Sequence, residues 1–574
     1  MNHEAKNYFS YVFGSNLITM IFDYLSDEHS YSNNCIEICN LLSCDKILNM
    51  TITPYFIKRG KFTFSKIRAW KKEKLNLVQN VIVDELKHMI EMNDILPNLK
   101  KTTIKCDSDL SSQIILKSGL THVKFYCDPN DFFKEVIFMK PHEIKSLDLG
   151  CGYGIHLFEN KFPPNLIHLS LNNKFDQPIK KNVLPHSLTK LEFGHYYNQP
   201  LQVQILPTNL LCLKFGNSFN QRLNPDVIPL NVTKLEFGYY YDQLLHLDVL
   251  PKSLLTLKFG PCFDRPLYSN VLPKGLVKLK FGNCFNQILH EDTLPESLTY
   301  LKFGVYFNQI LHEDTLPESL TYLKFGEYFN QILHENTLPE SLTYLKFGKF
   351  FKQDTSNIII PKSLTYLKIN VSDQTSPTLI LPKSLTALDF DNINNSLDVD
   401  VLPKNLTYLK LDEIFCQKLT ENVLPECLTT LIFGETFDLP ICKHALPKRL
   451  SRLEFGSKFN QVLDKNVLPL KLLYLTFGYC FEQVLDKDVL PNSLIQLTFN
   501  GKFFEKIINK NVLPRSLTQL SFLINIQYRK KIDISMIPSS LSFVFFEKGK
   551  NTDDIIICYS STYNNIFRKR QKHK

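Results

Sequence analysis

Between Leu294 and Leu311 the chain reads LPESLTYLKFGVYFNQIL. Leu298, Leu301 and Phe303 keep the L-x-x-L-x-L spacing of a leucine-rich coil. Leu301 and Phe303 alternate around Lys302, the period of a strand that sends both apolar side chains to one side. Pro295 stands ahead of that strand, where a missing N–H costs least. Gly304 closes it, and the expectation is a sharp bend there. Phe307 follows as a second inward aromatic, and Asn308 after it can bond backbone groups left unpaired by the corner.

The pattern recurs. Pro295 belongs to a column that runs without a slip at 22 residues from Pro141 and Pro163 to Pro339 and Pro361. The spacing then drifts by a residue or two through Pro382, Pro403 and Pro425 to Pro514 and Pro538. A fixed period in the twenties implies a solenoid of stacked coils, each too small to fold alone. About twenty coils at ~4.8 Å each would span on the order of 90–100 Å along a parallel sheet. Stability then comes from burial between coils, and the product is a long surface suited to macromolecular partners.

Composition agrees with this reading. Most of the 44 phenylalanines in the 574 residues fall at fixed repeat positions. A formal charge of +9 does not by itself argue for nucleic-acid binding. The 14 cysteines form no CxxC pair and read as reduced residues of an intracellular protein. Cys35, Cys39 and Cys44 suit one helix face better than a zinc site. The N-terminus lacks the pattern of a signal peptide, and no apolar stretch reaches the ~20 residues of a membrane span.

Three motifs look like chemistry and are better read as repeat. LDLGCGYG, Leu147–Gly154, resembles a nucleotide-cradling loop, yet Pro141, Ile144, Leu147 and Leu149 hold the coil register and no βαβ unit follows. His290, His312 and His334, each followed by glutamate, lie in near-identical copies, so duplication accounts for the column. The tail ends FRKRQKHK, a basic run that can serve nuclear import but is more often a solvated end. No nucleophile–base pair, phosphate loop or zinc spacing is present, so neither enzymatic activity nor a cofactor is expected.

The outward strand positions are more informative. Lys258, Lys280, Lys302, Lys324, Lys346 and Lys368 form one column, and Tyr300, Tyr322, Tyr344 and Tyr366 another. Both are expected on the concave sheet face, making Tyr300, Lys302, Tyr322, Lys324, Tyr344, Lys346, Tyr366 and Lys368 the candidate target-binding residues for an acidic protein partner. Glu192, Glu236, Asp389 and Glu454 interrupt the column elsewhere, which argues against nucleic acid.

The consensus LPxSLTxLxFGxxFNQxL resembles the FNIP repeat, with FDQPI at Phe175–Ile179 and YNQPL at Tyr197–Leu201 closest to the name-giving form. The resemblance covers roughly residues 141–545 and implies a leucine-rich-repeat-like solenoid, of a kind abundant in social amoebae and in giant viruses that infect amoebae. Ahead of it, Leu17, Ile21 and Leu25 share a helical face. IFDYLSD, Ile21–Asp27, with IEICNLLSCDKIL, Ile36–Leu48, resembles a divergent F-box, although Asn16-Leu17 replaces the usual Leu-Pro and Ser26–Asn34 adds to the first loop. The plainer alternative is a helical cap over the first coil.

The expected organisation is therefore an F-box-like α-helical head at 1–60, transitional capping coils at 61–135, an FNIP solenoid at 136–548 and a basic tail at 549–574. Leu120, Val123 and Phe125 fit the strand pattern inside the transition, and Leu96–Ile104 reads as a more degenerate coil. What the resemblance implies is a non-catalytic substrate receptor. Leu17, Ile21, Phe22 and Leu25 would contact an Skp-family adaptor of a cullin ubiquitin ligase, and the array would hold a target protein. Its expected place is the cytoplasm, that of the host if the chain is viral, with nuclear entry through the tail. The alternative is an interaction scaffold with no link to ubiquitin.

Overall fold

A computed structural model describes residues 62–63, 75–76, 78–83, 95–104, 114–116, 119–125, 136–138, 141–150, 162–171, 173–353, 358–370, 380–392, 397–501, 512–523, 543–547 and 556–558. The head at 1–60, its expected helices and adaptor-contact residues, and the tail apart from Ile556–Cys558 lie outside the described residues.

The repeat unit folds as a short strand carried on two hydrogen-bonded turns. In the coil quoted above, the Pro295 carbonyl accepts the Leu298 N–H at 3.0 Å, and the strand Tyr300–Lys302 follows. Leu298, Leu301, Phe303, Phe307 and Leu311 are all buried. Each contributes on the order of 1.5–3 kcal/mol of burial, realised only because the next coil covers it. Phe303 stacks on Phe307 at 3.8 Å within the coil and on Phe325 at 5.7 Å in the next. Two aromatic columns thus run side by side through the core.

Polar side chains tie each coil to its predecessor. Ser319 Oγ donates to the Leu298 carbonyl at 2.8 Å, and Thr321 Oγ1 to the Thr299 carbonyl at 3.1 Å. At the aromatic corner Asn286 Oδ1 accepts the Asn308 N–H at 2.8 Å, and Gln309 Nε2 donates to the Asn286 carbonyl at 2.9 Å. This is the role expected of the Asn/Asp column.

The expected reason for the glycine column is corrected. Gly304 does not adopt a left-handed conformation; instead, a Cβ there would sit 1.6 Å from the Gly282 carbonyl oxygen. Close approach of successive backbones, not the bend, excludes a side chain. The left-handed residues lie three positions before the proline, at Asp292 (φ 62°), Asp314 (φ 60°) and Asn336 (φ 64°). Asn and Asp tolerate that conformation best after glycine.

The chain divides into two compact units, residues 1–276 and 277–574. In the first, parallel strands run from Phe62–Thr63 and Asn80–Val83 through Lys101–Ile104, His122–Phe125 and Ser146–Asp148 to Thr256–Lys258. The sheet therefore begins well before the clear repeat. Val81 and Val83 occupy the inward positions without leucine or proline to mark the coil. A separate parallel pair joins Ile114–Leu116 to Val136–Phe138. In the second unit parallel strands run from Lys278–Lys280 to Phe543–Glu547, and Ile556–Cys558 adds antiparallel to the last.

Regularity lapses where the sequence period drifts. Tyr366–Asn370 and Ala387–Asn392 are longer than the three-residue strands before them, and their register shifts between Ile369 and Asn370. Asp412 stands in the glycine column two coils later and is buried.

Candidate functional site

A three-residue strand with a buried central leucine presents its two flanking residues on the outside. In the second unit those residues are Tyr and Lys in four successive coils: Tyr300–Lys302, Tyr322–Lys324, Tyr344–Lys346 and Tyr366–Asn370. Parallel pairing sets Tyr300 against Tyr322, Tyr344 and Tyr366 in turn, and Lys280 against Lys302, Lys324, Lys346 and Lys368. The expected target-binding residues are thus brought together in two half-buried columns flanking one leucine row.

The tyrosines form a continuous stack. Ring centroids lie 4.1 Å apart for Tyr300 and Tyr322, 4.2 Å for Tyr322 and Tyr344, and 4.3 Å for Tyr344 and Tyr366. The rings are nearly parallel, with interplanar angles within 9°. Lys278 Nζ caps the first ring at 4.1 Å, and Lys280 Nζ lies 5.6 Å from it. At the other end Ala387 takes the tyrosine position, and Asp389 binds Lys368 at 3.3 Å with both side chains largely buried. The face has two defined ends.

Its electrostatics follow from the stacking. Burial pushes the phenols of Tyr300 and Tyr322 up, and that of Tyr344 up to about 12, while in the middle of the stack the neighbouring hydroxyls act in both directions. They are neutral donors at physiological pH. Burial, then the positive charges of Lys346 and Lys302, lowers the Lys324 ammonium. A lysine held between like charges is relieved by an anion.

The same positions in the first unit are charge-matched. Glu192 lies against Lys190 at 2.6 Å, Lys214 at 3.4 Å and His168 at 3.4 Å, and the His168 contact leads in holding its carboxyl far below the usual range. Burial opposes the charged form of Glu236, but Lys234 at 2.8 Å and Lys258 at 3.8 Å outweigh it and lower its pKa. Lys258, expected in the uniform stripe, therefore faces an acid in its own unit, as Lys368 does in the other. In the second unit, well past the Tyr and Lys columns, Glu454 holds Arg452 at 2.9 Å.

The remaining motifs are structural. Ser146–Asp148 pairs in parallel with His122–Phe125 and His168–Ser170, and the Gly150 N–H donates to Asp148 Oδ1 at 3.0 Å in a turn. His290 and His312 are exposed, and their carbonyls accept turn N–H groups from Thr293 and Thr315. Among the described residues no group of His, Cys, Asp and Glu is arranged to hold a metal ion. Among the same residues no helix is long and apolar enough to cross a membrane.

One outward ladder escaped the sequence reading. Tyr306, Tyr328 and Phe350 are exposed on the turn after the strand and stack at 5.3 and 4.8 Å. The signal was present, an aromatic immediately before each core phenylalanine, but the inward column beside it drew the whole pattern.

These features define a leucine-rich-repeat-like parallel β-solenoid, an architecture of interaction scaffolds. The FNIP Repeat model matches eleven times along residues 156–549, from 156–196 and 197–240 to 481–523 and 504–549. The chain belongs to the FNIP repeat family. Among solved structures, CroV588, described as a novel circular LRR protein, is 35% identical; the match covers 87% of this chain and 80% of that one, with a TM-score of 0.62. An internalin, InlF, from Listeria monocytogenes is 15% identical over 51% of this chain and 81% of that one, with a TM-score of 0.33. The Toll–Spatzle complex of Drosophila gives 14% identity over 85% of each chain and a TM-score of 0.36. No curated protein matches the chain.

Proposed function

We propose that this FNIP-repeat solenoid is a non-catalytic substrate receptor. The head at residues 1–60 docks an Skp-family adaptor of a cullin ubiquitin ligase, and the array presents a target protein to the ligase. The observation that carries the array's part is the half-buried Tyr300–Lys368 face, where four coils repeat one chemistry in register. A row of stacked phenols beside a row of ammonium groups is a pre-ordered contact surface of low side-chain entropy. The head's part rests on the F-box resemblance of Ile21–Asp27 and Ile36–Leu48, with Leu17, Ile21, Phe22 and Leu25 meeting the adaptor. If the source is a giant virus of amoebae, the target is a host protein reached in the cytoplasm, or in the nucleus through the basic tail.

The experiment is a pull-down of purified amoebal Skp-family adaptor by the full chain. Saturable capture, lost in Ile21→Asp with the array still folded, supports the receptor. Capture by neither protein favours the second reading, a scaffold whose head only caps the solenoid. That reading draws on the pairing of Phe62–Thr63 with Asn80–Val83 directly after the head, the place where a first coil needs cover.

A further inference from the structure

The tyrosine stack decides what kind of partner suits the face. A nucleobase binds an aromatic platform through an open ring face. Here the ring faces are taken: Tyr322 and Tyr344 are each sandwiched between neighbours at 4.1–4.3 Å, and Lys278 covers the free side of Tyr300. What remains outward is the ring edge, the positive part of the quadrupole, and the hydroxyl. Beside these lie ammonium groups one coil apart. Edges, hydroxyls and ammoniums are all donors of positive potential, and together they match carboxylates.

The contrast with the first unit sharpens the argument. There Lys190 and Lys214 share Glu192, and Lys234 and Lys258 share Glu236, so each lysine faces an acid and that face is partly neutralised internally. In the second unit the outward column runs from Lys280 to Lys368 before an acid, Asp389, enters it and ends the stripe; Glu454 enters further along. Lys302 and Lys324, at its middle, stand between lysines on both sides.

We propose that the Tyr300–Lys368 face binds an extended acidic peptide segment, its carboxylates held by Lys280, Lys302, Lys324 and Lys346 and by the hydroxyls of the stacked tyrosines. This deepens the reading of the array as the target-binding part, and names the target by an exposed run of Asp and Glu. The segment crosses the strands. Five strands at ~4.8 Å spacing are spanned by a peptide of about eight residues at ~3.3 Å each.

The test is fluorescence anisotropy of a labelled oligo-glutamate of about eight residues, titrated with the full chain at low salt. Saturable binding is expected. Lys302→Glu with Lys324→Glu should weaken it about ten-fold or more, and more salt should do the same. Lys443→Glu with Lys471→Glu, two exposed lysines elsewhere, should leave it within about two-fold. If the first pair lowers the melting temperature, Lys302→Gln with Lys324→Gln replaces it. The proposal is overturned if the full chain does not bind the peptide, or if both lysine pairs weaken it equally. It is also overturned if an oligothymidylate binds more tightly and depends on Tyr322, or if the charge swap only dissolves self-association in sedimentation. Ile21→Asp should lose the adaptor and keep the peptide, so failure of the receptor reading is told apart from failure of this one.

Discussion

Asn286 Oδ1 accepts the backbone N–H of Asn308 at 2.8 Å, and Asn308 Oδ1 accepts that of Asn330 at the same distance. One side chain per coil thus satisfies a corner N–H of the next coil, which strand pairing does not reach. Asn308→Ala strands the Asn330 N–H, while the Gln331 amide loses its 3.1 Å bond to the side chain but keeps its 3.0 Å bond to the Asn308 carbonyl. A cost of about 1–3 kcal/mol is expected. Asn308→Asp should cost little, because Asp242 already serves Asp264 in the same way at 3.0 Å. Urea unfolding of the three proteins checks the order wild type, Asp, Ala; equal stabilities would refute it.

The glycine and left-handed columns make opposite predictions for one methyl group. Gly304→Ala forces a Cβ to within 1.6 Å of the Gly282 carbonyl oxygen, a backbone atom that cannot rotate away. It should destabilise by several kcal/mol, as overpacking against a fixed neighbour does. Asp314→Gly at φ 60° relieves strain instead, and is expected to be neutral or slightly stabilising. Asp314→Val should cost about 1–3 kcal/mol there. Thermal unfolding of the three variants separates the columns.

Much of this was legible because a solenoid writes its contacts at a fixed interval. Leu298, Leu301, Phe303 and Phe307 could be placed inside from spacing alone, and all are buried. The outward Tyr and Lys columns followed from the same alternation. The cause of the glycine column was not legible, since a bend and a close approach both select glycine, and only the distance from Gly304 to Gly282 tells them apart. The neutralised face of the first unit was half legible. Glu192 and Glu236 were visible as breaks in a stripe, but their pairing with Lys190 and Lys234 two residues away depends on both side chains leaving the strand on one side. The early strand Asn80–Val83 lies within the expected degenerate coils but was not placed there, because Val81 and Val83 fill the inward positions without the proline and glycine that mark a coil.

The carboxylate cluster of the first unit predicts an acid-side loss of stability. Glu192 is held far below its ordinary pKa, first through His168 and then through its lysines. A carboxylate lowered in the folded state contributes stability above its unfolded pKa, and loses it as protons bind at lower pH. The melting temperature should therefore fall as pH drops below about 4.5, and Glu192→Gln should lower it at pH 7 while flattening that fall. A variant whose pH profile parallels the wild type would show that Glu192 is not the source.

The stacked phenols predict the alkaline side. Tyr344 titrates near 12 in the fold, against 10.0 when free. Between those values the unfolded chain gives up the proton and the fold does not, so stability is complete below 10 and declines as pH rises toward 12. Ultraviolet titration of phenolate should show Tyr344→Phe removing a late-titrating group. Loss of an early one instead would refute the shift.

Two tyrosines depart from the phenylalanine spine, and they supply the sharpest test of its packing. Tyr197 stacks between Phe175 at 5.8 Å and Phe219 at 6.2 Å, and Tyr241 between Phe219 at 6.1 Å and Phe263 at 6.2 Å. Both rings are fully buried, and neither hydroxyl has a hydrogen-bond partner. Burial, with Asp242 next in the chain, pushes the Tyr241 phenol well above its ordinary pKa, so the group is buried neutral. An unpaired hydroxyl in an apolar column costs about 1–3 kcal/mol of desolvation. Phenylalanine occupies the same position in the flanking coils, so the ring fits without the oxygen. Tyr241→Phe should therefore raise stability by about 1 kcal/mol in urea unfolding, whereas Phe263→Tyr should lower it by a similar amount. A destabilised Tyr241→Phe would mean that the hydroxyl is satisfied in solution, most simply by a water held between coils.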